Sequence, residues 1–216
     1  MSDIFHEVDE EVRREQLKKL WQRYGNYIIA GCLLVIVGIA GWRGYEWLEA
    51  KRVAESGTAF EQAVTLAESG KAQEAQAAFA KLANDGTAGY RVLSRLREAA
   101  ELARSDPKAA IKAYEEIADR GAGQVIQDLA TSRAGLLLVD QTSYADLRSR
   151  LEPLTGPGRA FRYSARELLA LSAWKQGDAS AAKQWTEAII GDPQTPAGAR
   201  SRAEVLSQLI AAGGKG

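Results

Sequence analysis

Hydrophobic and polar positions follow two different rules along this chain, and the rule changes near residue 47. From Tyr27 to Trp42 sixteen apolar or small residues follow one another without a charge. Beyond them, apolar residues recur every three or four positions among charged ones, the period of an amphipathic helix. The first pattern predicts one membrane-spanning helix over 26–47. Its apolar body is Tyr27, Ile28, Ile29, Leu33, Leu34, Val35, Ile36, Val37, Ile39 and Trp42. Eight of the sixteen residues are Ile, Leu or Val. At roughly −0.3 to −0.6 kcal/mol each near a bilayer centre, they favour insertion by about 2–5 kcal/mol. A single ionised residue there would cost roughly 2.5–3.5 kcal/mol, and the run has none. Sixteen residues rise about 24 Å as a helix, short of a ~30 Å hydrocarbon core. Trp21, Tyr24 and Tyr27 on one side and Trp42, Tyr45 and Trp47 on the other supply interfacial belts, while Arg23 and Arg43 can snorkel.

Other readings of the run fit less well. A cleavable leader needs small residues after its core, and Gly41-Trp42-Arg43-Gly44-Tyr45 is bulky. Ile29-Ala30-Gly31-Cys32 has the look of a lipoprotein box, but the apolar core follows this cysteine instead of preceding it. A buried core helix would need a second run of similar apolarity to pack on, and the sequence has no such run.

Orientation follows Lys and Arg alone. Arg13, Arg14, Lys18, Lys19 and Arg23 precede the run, against Arg43, Lys51 and Arg52 within a similar distance after it. The bias puts residues 1–25 in the cytoplasm and, in a bacterial inner membrane, the part beyond the span in the periplasm. Asp9, Glu10 and Glu11 followed by Lys18, Lys19 and Arg23 complement a helix dipole, and Val8, Val12, Leu17, Leu20, Trp21 and Tyr24 roughly share a face. An interfacial helix or a docking helix for a membrane partner both fit this segment.

Residues 48–212 repeat. Aligned on Gly70, Ser105, Gln141 and Gly177, the chain steps by 35, 36 and 36 residues. That is close to the ~34 of a tetratricopeptide helix pair. Five residues after the anchors stand the small Ala75, Ala110 and Ala182; eight or nine after them stand Phe79, Tyr114 and Trp185. Sixteen after come Gly86, Gly121 and Pro193, which end second helices. The Gln141 pair breaks the pattern with Asp146 and Arg150 at these positions, keeps Tyr144, Leu147, Leu151 and Leu154 as a stripe, and reads as degenerate. The first helices carry faces of their own: Tyr90, Leu93, Leu96, Ala100 and Ala103; Ile126, Leu129, Ala130, Ala134 and Leu137; Phe161, Ala165, Leu168, Leu169 and Trp174. The stretch from Val53 to about Ser69 opens the array and can continue from the membrane helix, because no proline intervenes. Thr195 to about Ala212 reads as a capping helix with Pro196 in its first turn, and 213–216 as a flexible tail. The expected fold is all-α: a single N-terminal transmembrane helix followed by a tetratricopeptide-like helical-pair solenoid.

Composition then removes chemistry. Lys and Arg number 28 against 28 Asp and Glu, which argues against nucleic acid as a partner. Cys32 is the one cysteine and lies in the apolar run; His6 is the one histidine. A disulfide, a zinc cluster, a Ser-His-Asp triad or a Cys-His pair is therefore not expected beyond the run. Gly156-Pro157-Gly158 reads as a turn, and adjacent Glu115-Glu116 point apart on a helix. Neither a cofactor, nor a small-molecule substrate, nor enzymatic activity is expected. Protein binding remains, with groove candidates on polar faces of the first helices: Arg91, Arg95, Arg133 and Arg166.

The order of parts adds a resemblance. Tyr24-Gly25-Asn26, then Gly41-Trp42-Arg43 with Trp47, then Gly177-Asp178 followed by Ala182 and Trp185, resembles the YfgM-like family along essentially the whole chain. Members are ancillary subunits of the SecYEG translocon. The resemblance implies a single-pass inner-membrane protein, a periplasmic domain, and association with the translocon and with periplasmic chaperones. It brings no catalytic residue. This chain departs from the family pattern in its longer cytoplasmic segment and in the Tyr144–Leu154 repeat. An envelope scaffold or assembly adaptor unrelated to secretion would present the same sequence features.

Overall fold

The computed structural model describes residues 3–120 and 123–213, the side chains of residues 1–13 and 15–17 excepted. Gly121, Gly214, Lys215 and Gly216 lie outside the described residues. So do the side chains of His6, Val8, Asp9, Glu10, Glu11, Val12, Arg13 and Leu17. Among the described residues there are nine α-helices, one 3-10 turn and no strand, the all-helical fold that the scarcity of proline and the helical periods predict.

Helix α1 runs Asp3–Glu68, and the chain forms two compact units, 1–54 and 55–216. In the first unit, the large apolar side chains from Tyr27 to Trp42 are all exposed, whichever way they point round the helix. Between Lys18 and Glu68, α1 is long and apolar enough to cross a membrane; its most apolar stretch has mean hydropathy 1.8 and is 6 % buried. The aromatic flanks are exposed too, with Arg23 set 5.7 Å from the Tyr24 ring and Lys51 5.8 Å from Trp47.

The second unit is an array of helix pairs. Residues 55–68 of α1 pair with α2 (Ala72–Asp85), α3 (Ala88–Ser105) with α4 (Pro107–Asp119), α5 (Gln124–Leu138) with α6 (Tyr144–Leu151), and α7 (Arg162–Lys175) with α8 (Ala179–Ile190). A ninth helix, α9 (Ala197–Ala211), packs on α7 and α8. Gly70, Gln141 and Gly177 fall in the turns within pairs, and Ser105 is the last residue of α3. Gly70 and Gly177 have φ of +77° and +81°, a left-handed conformation that ends one helix and turns the chain into the next. Asp106 and Asp178 then cap the second helices, accepting from the N–H groups of Ala109 and Ala181 at 3.0 and 2.9 Å. Ser143 caps α6 in the same way, from the N–H of Asp146 at 3.1 Å.

Counting from the cap corrects the sequence reading of the third pair. Four residues past Lys71, Asp106, Ser143 and Asp178 stand Ala75, Ala110, Leu147 and Ala182, all fully buried. Eight past them stand Phe79, Tyr114, Leu151 and Thr186, also buried. The third pair is in register; its turn is one residue longer, so alignment on Gln141 lands on exposed Asp146 and Arg150. The same count moves the fourth groove position from Trp185 to Thr186. Trp185 is half-buried and donates its indole N–H to the Tyr144 hydroxyl at 2.9 Å. Leu151 fits because Gly135 faces it: a Cβ at Gly135 would come within 2.9 Å of its Cδ2.

Three apolar clusters fill the array: one around Phe79 in the first pair, one around Tyr114 and Ile117, and one around Leu147, Leu151 and Leu169 that the third and fourth pairs share. Neighbouring clusters are linked by side chains such as Phe60, whose ring lies 5.6 Å from Phe79 and 5.7 Å from Tyr90. At the far end α9 buries Ala199 and Ala203 and leaves Glu204 and Gln208 in solvent.

Candidate protein-binding face

A first helix in such an array is held from several sides and keeps one free strip. What fills that strip is apolar. Among the described residues past 54, the exposed large apolar side chains are Leu93, Val125, Leu136, Val205 and Leu209. All five belong to α3, α5 and α9, none to a second helix. Leu136 and Val205 are 52 % and 57 % exposed, and their interest lies in the adjoining pockets that they wall.

Two pockets make this strip concave. One, about 360 Å³, opens between α5 and α7 and is walled by Arg133, Leu136, Phe161 and Leu171. The other, about 380 Å³, opens between α7 and α9 and is walled by Leu171, Val205, Leu206 and Leu209. Both include Glu167 and Leu171, so they form one groove crossing three helices. Of the three charges in its wall, two satisfy one another: Arg202 grips Glu167 with both fork nitrogens, at 2.5 and 2.8 Å, and Arg133 is the third.

The structure does not bring the four arginines singled out in the sequence into one groove. Arg91 donates to the Gly86 carbonyl at 3.3 Å, at the end of α2. Arg95 lines a separate pocket where α3 meets α2 and α4, beside Glu98, Glu116 and Arg120. Burial there raises the Glu98 pKa, and Arg95 opposes the rise. Arg166 is mostly buried: it donates to the carbonyls of Thr155, at 2.8 and 3.1 Å, and Ala188, at 2.8 Å, and pairs with Asp192 at 3.3 Å. Arg162 reaches the same carboxylate, and Arg200 donates to the Asp192 carbonyl. The Gln194 N–H and Arg162 hold Asp192 below the usual carboxylate range. These arginines fasten the α8–α9 loop. Arg133 alone of the four borders the apolar groove.

Sequence reasoning passed over Leu136, Leu171, Val205 and Leu209, although α5 carries a signal. Val125, Leu129 and Leu136 form a strip separate from buried Ala130 and Ala134, so this helix has two apolar faces, one of them outside the core. It also passed over Asp128, which is 3 % exposed and paired with Arg159 at 2.6 Å, just past the Gly156-Pro157-Gly158 turn.

A family model described as a tetratricopeptide repeat-like domain matches residues 18–189. The chain belongs to that family. The tetratricopeptide-like match opens ahead of the apolar run and closes inside α8, taking in the four helix pairs. No curated protein and no solved structure matches the chain. Tetratricopeptide-like arrays generally serve as extended surfaces for protein partners, which agrees with an exposed apolar strip.

Proposed function

We propose that this chain is a membrane-anchored protein-binding module that stands beside the SecYEG translocon and links emerging proteins to periplasmic chaperones. The observation that carries the binding half is the apolar groove on the first helices, with Leu136, Val205 and Leu209 open to solvent. The bare apolar stretch of α1 supports the anchor, and the YfgM-like resemblance supports the translocon. In this reading residues 1–25 are cytoplasmic, 26–47 cross the inner membrane once, and the array over 48–212 is periplasmic. Tethering makes weak groove contacts sufficient, because a short tether holds the module near its target at an effective concentration of about millimolar.

The test is affinity purification of the full chain from membranes in mild detergent, with mass spectrometry of what co-purifies. Enrichment of SecY and periplasmic chaperones, lost when Tyr27–Trp42 is deleted while the helical array stays folded, is the expected result. An unchanged partner list after that deletion would overturn the tether. A list made of another envelope complex would move the function to scaffolding.

A further inference from the structure

We infer that the groove over α5, α7 and α9 takes a short extended peptide segment carrying two apolar side chains three residues apart and a carboxylate beside the first. The inference rests on the reading of this face as a protein-binding surface and specifies its ligand. Three observations lead to it. The two pockets share the wall made by Leu171 and Glu167, so their centres are separated by one helix. Packed helix axes lie about 8–10 Å apart. An extended chain in the polyproline II form has three residues per turn and rises about 3.1 Å per residue, so side chains at i and i+3 point to one side and span about the same 9–10 Å.

The charges set the rest. Glu167 and Arg202, in the wall of the second pocket, already neutralise one another. A ligand charge placed there would have to break a bidentate pair, so that pocket selects an apolar side chain against Val205 and Leu209. Arg133, in the wall of the first pocket, is exposed and makes no ion pair with a described residue. It leaves that end of the groove with one uncompensated positive charge, complementary to Asp or Glu on the ligand.

The full chain in detergent micelles is titrated against fluorescein-labelled nine-residue peptides, read by anisotropy. The probe has a Glu-x-Leu-x-x-Leu core with Ser and Gly elsewhere; its counterpart has Lys in place of Glu. Nine residues are too few for a stable isolated helix, and a version with Pro between the two leucines, which a polyproline II chain accepts and a helix interior does not, is expected to bind as well. The acidic probe is expected to bind about tenfold more tightly at low salt, with the gap closing as salt rises. Arg133→Glu is expected to reverse the preference, and Val205→Glu to abolish binding of both probes while circular dichroism shows an intact helical fold. Equal binding of the two probes, or a preference that Arg133→Glu leaves unchanged, would overturn the charge assignment.

A photoreactive benzoylphenylalanine at Leu136, crosslinked in membranes, reads the face independently of the peptides. Crosslinks to translocon or chaperone subunits without any peptide binding would refute the extended-peptide ligand and leave the binding module standing. Neither crosslinks nor peptide binding would remove both. A dimer by light scattering that Val205→Glu dissociates would assign the groove to a second copy of the chain, against this inference.

Discussion

Gly135→Ala is expected to destabilise this chain on its own and to stabilise it once Leu151 is also alanine. The methyl group added at residue 135 would lie 2.9 and 3.0 Å from the two Cδ atoms of Leu151, and Leu151 is fully buried, so it has nowhere to swing. Overpacking of this kind costs roughly 1–3 kcal/mol. Removing a glycine from a helix interior returns about 1 kcal/mol, leaving a net loss of about 0–2 kcal/mol. Leu151→Ala alone removes a buried leucine in a closed site and costs about 3 kcal/mol. At about 2–4 °C per kcal/mol for an array of this size, that lowers Tm by roughly 6–12 °C. In the double variant the clash is gone and the helix-propensity gain remains, so it is about 1 kcal/mol more stable than Leu151→Ala. Thermal and urea unfolding of the full chain in mild detergent, followed by circular dichroism, measures all four corners of the cycle. If Gly135→Ala stabilised both backgrounds equally, residues 135 and 151 would not be in contact, and the register assigned to the third pair would be wrong.

Three further outcomes are expected. Leu34→Lys places a charge at the middle of the apolar run, costs insertion about 3 kcal/mol, and moves the protein toward the soluble fraction on alkaline extraction of membranes. Glu98→Gln raises Tm at neutral pH. The folded-state pKa of Glu98 is raised by burial, so the carboxylate disfavours folding as pH climbs through and above the usual value of about 4.3; the gain from glutamine fades as pH falls below it, in a Tm-versus-pH series. Asp192→Asn behaves oppositely: its folded-state pKa is lowered, so the loss on substitution is complete above the ordinary aspartate value of about 3.9 and vanishes as pH falls through the folded-state pKa, in the same series.

The sequence shows the helix pairs because the chemistry that builds them is local. A left-handed glycine at Gly70 or Gly177, an aspartate cap at Asp106 or Asp178, and a small residue four places further on all sit within a few residues of one another. The third pair is hidden by one additional residue between turn and cap. Alignment on the turn then puts Asp146 and Arg150 where Leu147 and Leu151 belong, and a sound repeat looks decayed. The groove is hidden for a different reason. Leu136 and Ala130 are both apolar residues on α5, and periodicity cannot say which of two apolar faces the neighbouring helices will cover. Arg166 shows the converse: a charged residue on a first helix looks available until partners 11, 22 and 26 residues away take up its guanidinium.

The closing helix also decides how the array meets copies of itself. An array of stacked pairs can be extended in principle by any further pair, including one from another molecule. Here α9 covers the last pair and turns Glu204 and Gln208 outward. A chain cut before Thr195 would leave the apolar flank of α7 and α8 as a socket. A head-to-tail contact made there has no symmetry that closes it, so such chains would join into open-ended linear polymers. The fifteen residues of α9 are in this sense a chain terminator, covering the surface on which a further pair would stack.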